Sequence, residues 1–109
     1  MQRYGMVIGL NPTDAAQYRR LHAAVWPEVL VMIASCEIRN YSIFLREPEN
    51  LLFSYFEYHG RDFTADMARM AADPKTQGWW AICGPCQKPL ESREPGEWWA
   101  PMVEVFHTG

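Results

Sequence analysis

Two β-rich runs separated by four residues constrain this chain more than any other feature. Ile38 to Arg46, I-R-N-Y-S-I-F-L-R, and Leu51 to Tyr58, L-L-F-S-Y-F-E-Y, are dominated by β-branched, aromatic and alternating apolar residues, and Glu47-Pro48-Glu49-Asn50 between them is a turn. Parallel strands need a long crossover, so a connection this short makes the pair an antiparallel hairpin. Along the first run Tyr41, Ile43 and Leu45 share one face, and Asn40, Ser42 and Phe44 share the other.

The rest of the chain is read around that hairpin. Arg3 to Leu10, R-Y-G-M-V-I-G-L, is a first strand that stops at Asn11-Pro12. Asn11 is placed to cap a helix, with Pro12 at its first position and Asp14 near the positive end of its dipole. That helix runs through Tyr18 to Trp26; Pro27 kinks or restarts it, and apolar residues continue to about Ser35. After the hairpin, Arg61 to Ala72 is a helix with Phe63, Met67 and Met70 at helical spacing, which Asp73-Pro74 interrupts. Lys75 to Cys83 is a short helix with Trp79 and Trp80, Gly84 to Gly96 a loop, and Trp98 to Phe106 a final strand. The order β-α-β-β-α-β is the ferredoxin-like split βαβ of an α+β protein: an antiparallel sheet with its helices on one face, in a single domain over residues 1–109. The other sheet face needs a cover, and in a chain of 109 residues a second copy is the expected one, so a homodimer is predicted.

Composition narrows the function. A net charge of −3 and ten scattered basic residues make no footprint for a phosphate backbone, so no nucleic-acid partner is expected. No run of about 18 apolar residues exists to span a membrane, and none is expected as a partner. The first residues enter a strand without the pattern of a secretory signal, and three cysteines fit a reducing compartment, so the expected location is the cytoplasm.

The candidate chemistry sits on Tyr18 to Glu28, Y-R-R-L-H-A-A-V-W-P-E. Residues four apart on a helix are neighbours, so the Tyr18 phenol and the His22 imidazole can point into one cavity, while Leu21 and Val25 form the core stripe beside them. A lone histidine on a helix is most simply a surface or hydrogen-bonded core residue; its company is what singles this one out. Four tryptophans form two adjacent pairs, Trp79-Trp80 and Trp98-Trp99, and neighbours cannot both face one core, so at least one of each pair lines an interface or pocket. An indole offers an apolar face and a polar edge, which suits the C–H face of a sugar. Tyr18, His22, Tyr41 and a tryptophan pair would bind a small, neutral, polyhydroxylated ligand.

Taken in order, Y-R-R-L-H-A-A-V-W-P-E, N-Y-S-I-F-L, L-L-F-S-Y-F-E-Y, the W-W pair and the terminal E-V-F-H resemble the L-rhamnose mutarotase family along nearly the whole chain. The resemblance implies a dimeric ferredoxin-like α+β sandwich that interconverts the α and β anomers of a 6-deoxy-L-hexose, a monosaccharide substrate, without metal or organic cofactor. It places the proton-donating histidine on His22 and the sugar-binding residues on Tyr18, Tyr41, Trp79 and Trp80. The segment from Cys83 to Trp99 is longer and richer in proline than the family pattern, which keeps L-fucose beside L-rhamnose as the sugar.

Mutarotation opens a hemiacetal: one proton reaches the ring oxygen, another leaves the anomeric hydroxyl, and the ring closes on the other face of the aldehyde. Histidine, with an ordinary pKa of about 6.5, can give or take a proton near neutrality, so His22 is expected to be the general acid at the ring oxygen. The base stays open among a water, Tyr18, Glu28 and Glu104, although each glutamate has a simpler surface role. Tyr18 and Tyr41, with ordinary pKa values near 10, suit hydrogen bonding to sugar hydroxyls.

Two rivals remain. Cys83-Gly84-Pro85-Cys86 is the active-site tetrapeptide of thioredoxins, but that chemistry needs the first cysteine at a helix N-terminus after a strand, and here it follows a helix. A zinc site from Cys83, Cys86, Cys36 and a histidine lacks a paired second half, so no metal is expected. The scaffold also serves unrelated oxygenases and binding modules. His59 is expected to be exposed and His107 structural.

Overall fold

A computed structural model describes residues 1–109. The hairpin forms as expected: β2, Ile38–Arg46, pairs antiparallel with β3, Leu51–Tyr58. β3 shows why a strand of this composition is stable, since Leu52, Ser54, Phe56 and Tyr58 are buried on one face while the residues between them are partly exposed on the other. β1, Gln2–Leu10, pairs with the other edge of β3, with Ile8 opposite Leu52 and Tyr4 opposite Phe56.

α1 spans Ala15–His22 and α2 spans Pro27–Ser35. The helix expected to run through Trp26 therefore ends four residues early, and of the two outcomes open at Pro27 the restart is the one found. A residue before proline is pushed out of the helical region, and Trp26 is extended at φ −58°, ψ 133°, so Pro27 restarts the helix. Asn11 also departs from its expected role, because Pro12–Asp14 forms a 3-10 turn that the Asn11 side chain does not cap. Its amide instead donates to the Pro85 carbonyl at 3.1 Å, tying the start of this turn to a segment late in the chain.

α3, Phe63–Ala72, begins under an Asp62 cap, and α4, Pro74–Cys83, under Asp73. Asp73 Oδ2 accepts from both the Thr76 backbone N–H at 2.9 Å and the Thr76 hydroxyl at 2.8 Å, and Pro74 takes the first helical position.

The end of the chain differs most from expectation. Gly84–Cys86 is a 3-10 turn rather than open loop, and it delivers a two-residue strand β4, Gln87–Lys88, onto the edge of β1. The predicted strand from Trp98 to Phe106 is reduced to β5, Ala100–Met102, which pairs with Gly5 to Val7 of the same β1 edge. Pro101 brings no N–H to the ladder, and residues 103–109 are exposed without regular structure. At Gly9, a Cβ would lie 2.5 Å from the Lys88 carbonyl oxygen, so only glycine lets β4 approach.

The sheet order is β2-β3-β1-β4, with β5 also on β1, as in a ferredoxin-like fold, and all four helices contribute to packing on one face. Ile8, Leu10 and Leu52 pack with Tyr18, Val29, Trp79, Cys83 and Cys86 in one cluster; Cys36, Ile38, Phe56, Tyr58 and Met70 form a second. The opposite face carries Val7, Phe44, Phe53, Tyr55 and Met102 by register, with Phe44 64% exposed. No helix is long and apolar enough to cross a membrane.

A bulge interrupts β2 on its way past the helices. Arg39 pairs with Glu57 but Ser42 with Tyr55, so Asn40 and Tyr41 together oppose Phe56. Asn40 takes φ +52°, which asparagine tolerates, and its amide donates to Glu57 Oε1 at 2.9 Å. The extra residue lets Ile38 and Ile43, five apart, both face the helices, and Tyr41, Ile43 and Leu45 keep the shared face predicted for them.

Candidate active site

His22 is the last residue of α1, and its Nδ1 lies 3.0 Å from the Tyr18 carbonyl oxygen one turn earlier. A carbonyl only accepts, so Nδ1 holds the proton of the neutral ring, and Nε2 is the nitrogen left for chemistry. The ring stacks on the Tyr18 phenol, with centroids 4.1 Å apart and planes at 26°, and meets the Trp79 indole edge-on at 5.4 Å. Trp79 is braced in turn by Trp26 at 5.3 Å. Burial among these rings lowers the imidazole pKa below 6.5, against the opposing pull of the bond to the Tyr18 carbonyl.

Tyr18 is only 4% exposed. Its hydroxyl accepts from Gln87 Nε2 at 3.2 Å, and Trp98 Nε1 donates to Gln87 Oε1 at 2.7 Å. Burial raises the phenol pKa, with the Gln87 hydrogen bond partly offsetting it, so the hydroxyl keeps its proton at neutral pH.

These groups open onto a cleft of about 640 Å³ between sheet and helices. Met6, Ile43 and Phe56 supply the sheet floor, Phe63 and Met67 of α3 one wall, and Trp79, Trp80 and Cys83 of α4 another. Tyr41 leans in from the bulge, its ring T-shaped against Phe56 at 5.5 Å, and the segment between β4 and β5 brings Trp98 and Trp99 to the rim. His22, Tyr18, Tyr41, Trp79 and Trp80 thus line one cavity, and both members of each tryptophan pair reach it. Trp79 is buried while Trp80 is 47% exposed, a wall and a lip of the same opening.

No carboxylate lines the cleft. Glu28 is exposed on α2, and Glu104 pairs with Arg3 at 2.7 Å, which holds its carboxyl below the ordinary range. Of the groups weighed as the base, the glutamates are therefore out of reach and the Tyr18 phenol is poorly disposed to ionise.

The cysteines do not assemble either alternative. Cys83 ends α4 and Cys86 lies in the following 3-10 turn, both buried, and burial pushes the Cys83 thiol up to about 11 and raises that of Cys86. A redox dithiol needs the opposite shift. Cys36 sits in the second core cluster, apart from that pair, and no group of three His, Cys, Asp or Glu residues is placed to hold a metal ion. His59 is exposed beside Glu57, as expected, whereas His107 belongs to the exposed C-terminal segment rather than to a structural position.

Gln87 escapes a reading of the sequence because it stands 69 positions from Tyr18 and nothing local marks it. Phe63 and Met67 were legible only as a core stripe.

Fold and site define a ferredoxin-like α+β protein with an aromatic cleft lined by one histidine and no carboxylate. The family model described as L-rhamnose mutarotase matches residues 3–108, and the chain belongs to that family, making it an isomerase of the mutarotase kind. Curated relatives named L-rhamnose mutarotase from Sinorhizobium fredii and Oceanobacillus iheyensis are 34% and 30% identical to it, each alignment covering 98% of both chains. Among solved structures, an L-rhamnose mutarotase from Formosa agariphila superposes with a TM-score of 0.78 over the whole of both chains at 22% identity. Tetracenomycin F2 cyclase from Streptomyces glaucescens, a type-II polyketide cyclase, shares the fold at a TM-score of 0.67 and 18% identity, covering all of this chain and 97% of that one.

Proposed function

We propose that the protein interconverts the α and β anomers of L-rhamnose, with His22 as the proton donor to the ring oxygen. The observation that carries this reading is the free Nε2 of a neutral, partly buried His22 facing an uncharged aromatic cleft in a chain of this family.

One nitrogen suffices for both halves of ring opening. Neutral Nε2 accepts the proton of the anomeric hydroxyl, leaving an anomeric oxyanion beside an imidazolium. The oxyanion collapses to the aldehyde as the C1–O5 bond breaks, and the imidazolium gives its proton to O5, so the histidine returns to neutral. Rotation about C1–C2 and the reverse steps close the ring as the other anomer. O1 and O5 share one carbon, so a single donor can address both, and no carboxylate base is required. Trp79 and Trp80 offer faces for the C–H side of the sugar and its methyl group, while Tyr18 and Tyr41 hydrogen-bond its hydroxyls. L-Fucose, the alternative sugar, differs only in hydroxyl stereochemistry and would meet the same walls.

The bare sheet face with Phe44 supports a homodimer in which a second copy covers it. Three unpaired thiols support a reducing, cytoplasmic location.

NMR saturation transfer between the α and β anomeric protons of L-rhamnose, and separately of L-fucose, tests the reading. Native protein should accelerate exchange of L-rhamnose more than of L-fucose, and His22→Ala should lose that acceleration while keeping its fold. Acceleration of neither sugar would overturn the assignment; faster exchange of L-fucose would reassign the substrate.

A further inference from the structure

We propose that Gln87, locked by Trp98, is a positioning residue that commits the Tyr18 hydroxyl to donate its proton into the cleft. The proposal rests on the mutarotase reading for its kinetic consequence but not for its geometry.

The hydrogen bonds from Trp98 through Gln87 to Tyr18 have a single possible direction. An indole N–H can only donate. Trp98 Nε1 lies 2.7 Å from a Gln87 side-chain terminus, so that terminus must be the amide oxygen. The amide NH₂ is then the end 3.2 Å from the Tyr18 hydroxyl, and the phenol oxygen accepts. With one lone pair engaged by the amide, the hydroxyl proton is directed away from Gln87, and Tyr18 is among the residues that line the cleft. Without the lock, a phenol could spend the same proton on the glutamine oxygen and present only a lone pair to a ligand.

The fold holds Gln87 for this task from two sides. Its backbone is paired opposite Leu10 in β4, and the preceding turn is fixed by Asn11, whose backbone N–H donates to the Cys86 carbonyl at 2.8 Å and whose amide donates to Pro85. Trp98 is brought in from the other side by β5. The pairing of both β4 and β5 with the same edge of β1 therefore puts both members of the lock at one end of the cleft. A hydroxyl fixed as a donor favours a ligand with an oxygen acceptor at that point, such as a ring or hydroxyl oxygen of a sugar.

An isosteric change separates polarity from packing. Gln87→Glu keeps the shape and still accepts from Trp98, but its carboxylate cannot donate; it would accept a hydrogen bond from the Tyr18 hydroxyl and reverse that one link. Expected losses in kcat/KM for L-rhamnose exchange are about tenfold or more for Gln87→Glu and smaller for Gln87→Leu, which leaves the phenol without a competing acceptor. In a Tyr18→Phe background the two changes should be equivalent. Equal losses from both in the native background, or a Gln87→Glu penalty that survives Tyr18→Phe, would overturn the proposal.

The geometry is read without substrate from the Trp98 indole N–H resonance, assigned by its absence in Trp98→Phe. It should shift upfield in Gln87→Leu and downfield in Gln87→Glu. A resonance indifferent to both removes the lock, whatever the activity. Native protein that accelerates no sugar while the resonance responds as stated would instead fail the mutarotase reading and leave the lock standing.

Discussion

At the scale of the residue, His22 sets the pH behaviour. Its pKa is lowered by burial, so the neutral form that must accept the first proton persists to lower pH than it would in water. Catalysed exchange should therefore hold level at neutral pH and fall as pH drops through an inflection below 6.5. Rates of L-rhamnose exchange between about pH 4.5 and 8, with the protein-free rate subtracted, measure this. A profile that instead rises as pH falls through that inflection would mean that the imidazolium is the active form. His22→Gln keeps a polar side chain of similar reach but cannot cycle a proton. It should lower kcat by about 10²–10⁴ with much less effect on KM, read in the same exchange experiment at several sugar concentrations.

At the scale of the element, α4 is where local sequence and function meet. Asp73 binds both the Thr76 N–H and its hydroxyl, and Thr76 is 2% exposed, so Asp73→Ala leaves two buried-side donors without a partner. The loss of such a cap costs about 1 kcal/mol, which in a domain of this size lowers Tm by about 4–8 °C. Thermal unfolding followed by circular dichroism checks it; an unchanged Tm would mean Pro74 and packing alone hold the helix start. This helix was legible because Asp73-Pro74 is a local break, although the cap that Asp73 supplies was not read from the sequence. The Tyr18/His22 pair was legible for a similar reason, since four residues of helix fix which side chains meet. Tyr41, Trp79 and Trp80 were legible as members of an ordered set that resembles a family, not from their own spacing. What could not be read lies in long-range closure. A two-residue β4 has no periodicity, the Asn40–Tyr41 bulge has no local marker, and Asn11 was assigned to its own turn when its amide serves Pro85 instead. Helix continuity through Trp26 failed because Pro27 acts on the residue before it, a stronger constraint than the apolar pattern.

At the scale of the whole molecule, the sheet has one face on the helices and one face without a cover. Val7, Phe53 and Phe44 lie side by side across β1, β3 and β2 on that bare face, and Tyr55 and Met102 extend the band. In a two-fold dimer each residue of the patch is used twice. Full burial of one phenylalanine stabilises by about 1.5–3 kcal/mol, so Phe44 at 64% exposure, counted in both copies, has about 2–4 kcal/mol to contribute, a factor of about 30 to 1,000 in dissociation constant. Phe44→Asp removes that term and sets two carboxylates against an apolar surface, where unpaired charge is costly. The native protein should sediment near twice its 12.7 kDa chain mass, and Phe44→Asp should sediment near the chain mass at the same micromolar concentration with an unchanged far-UV spectrum. Because Phe44 faces away from the helices, the substitution leaves the core clusters intact, so a change of mass with retained structure isolates the interface. A native protein that sediments as a single chain would mean the bare face is stable in water as it stands, and a Phe44→Asp protein that remains paired would place the two-fold contact elsewhere on the surface.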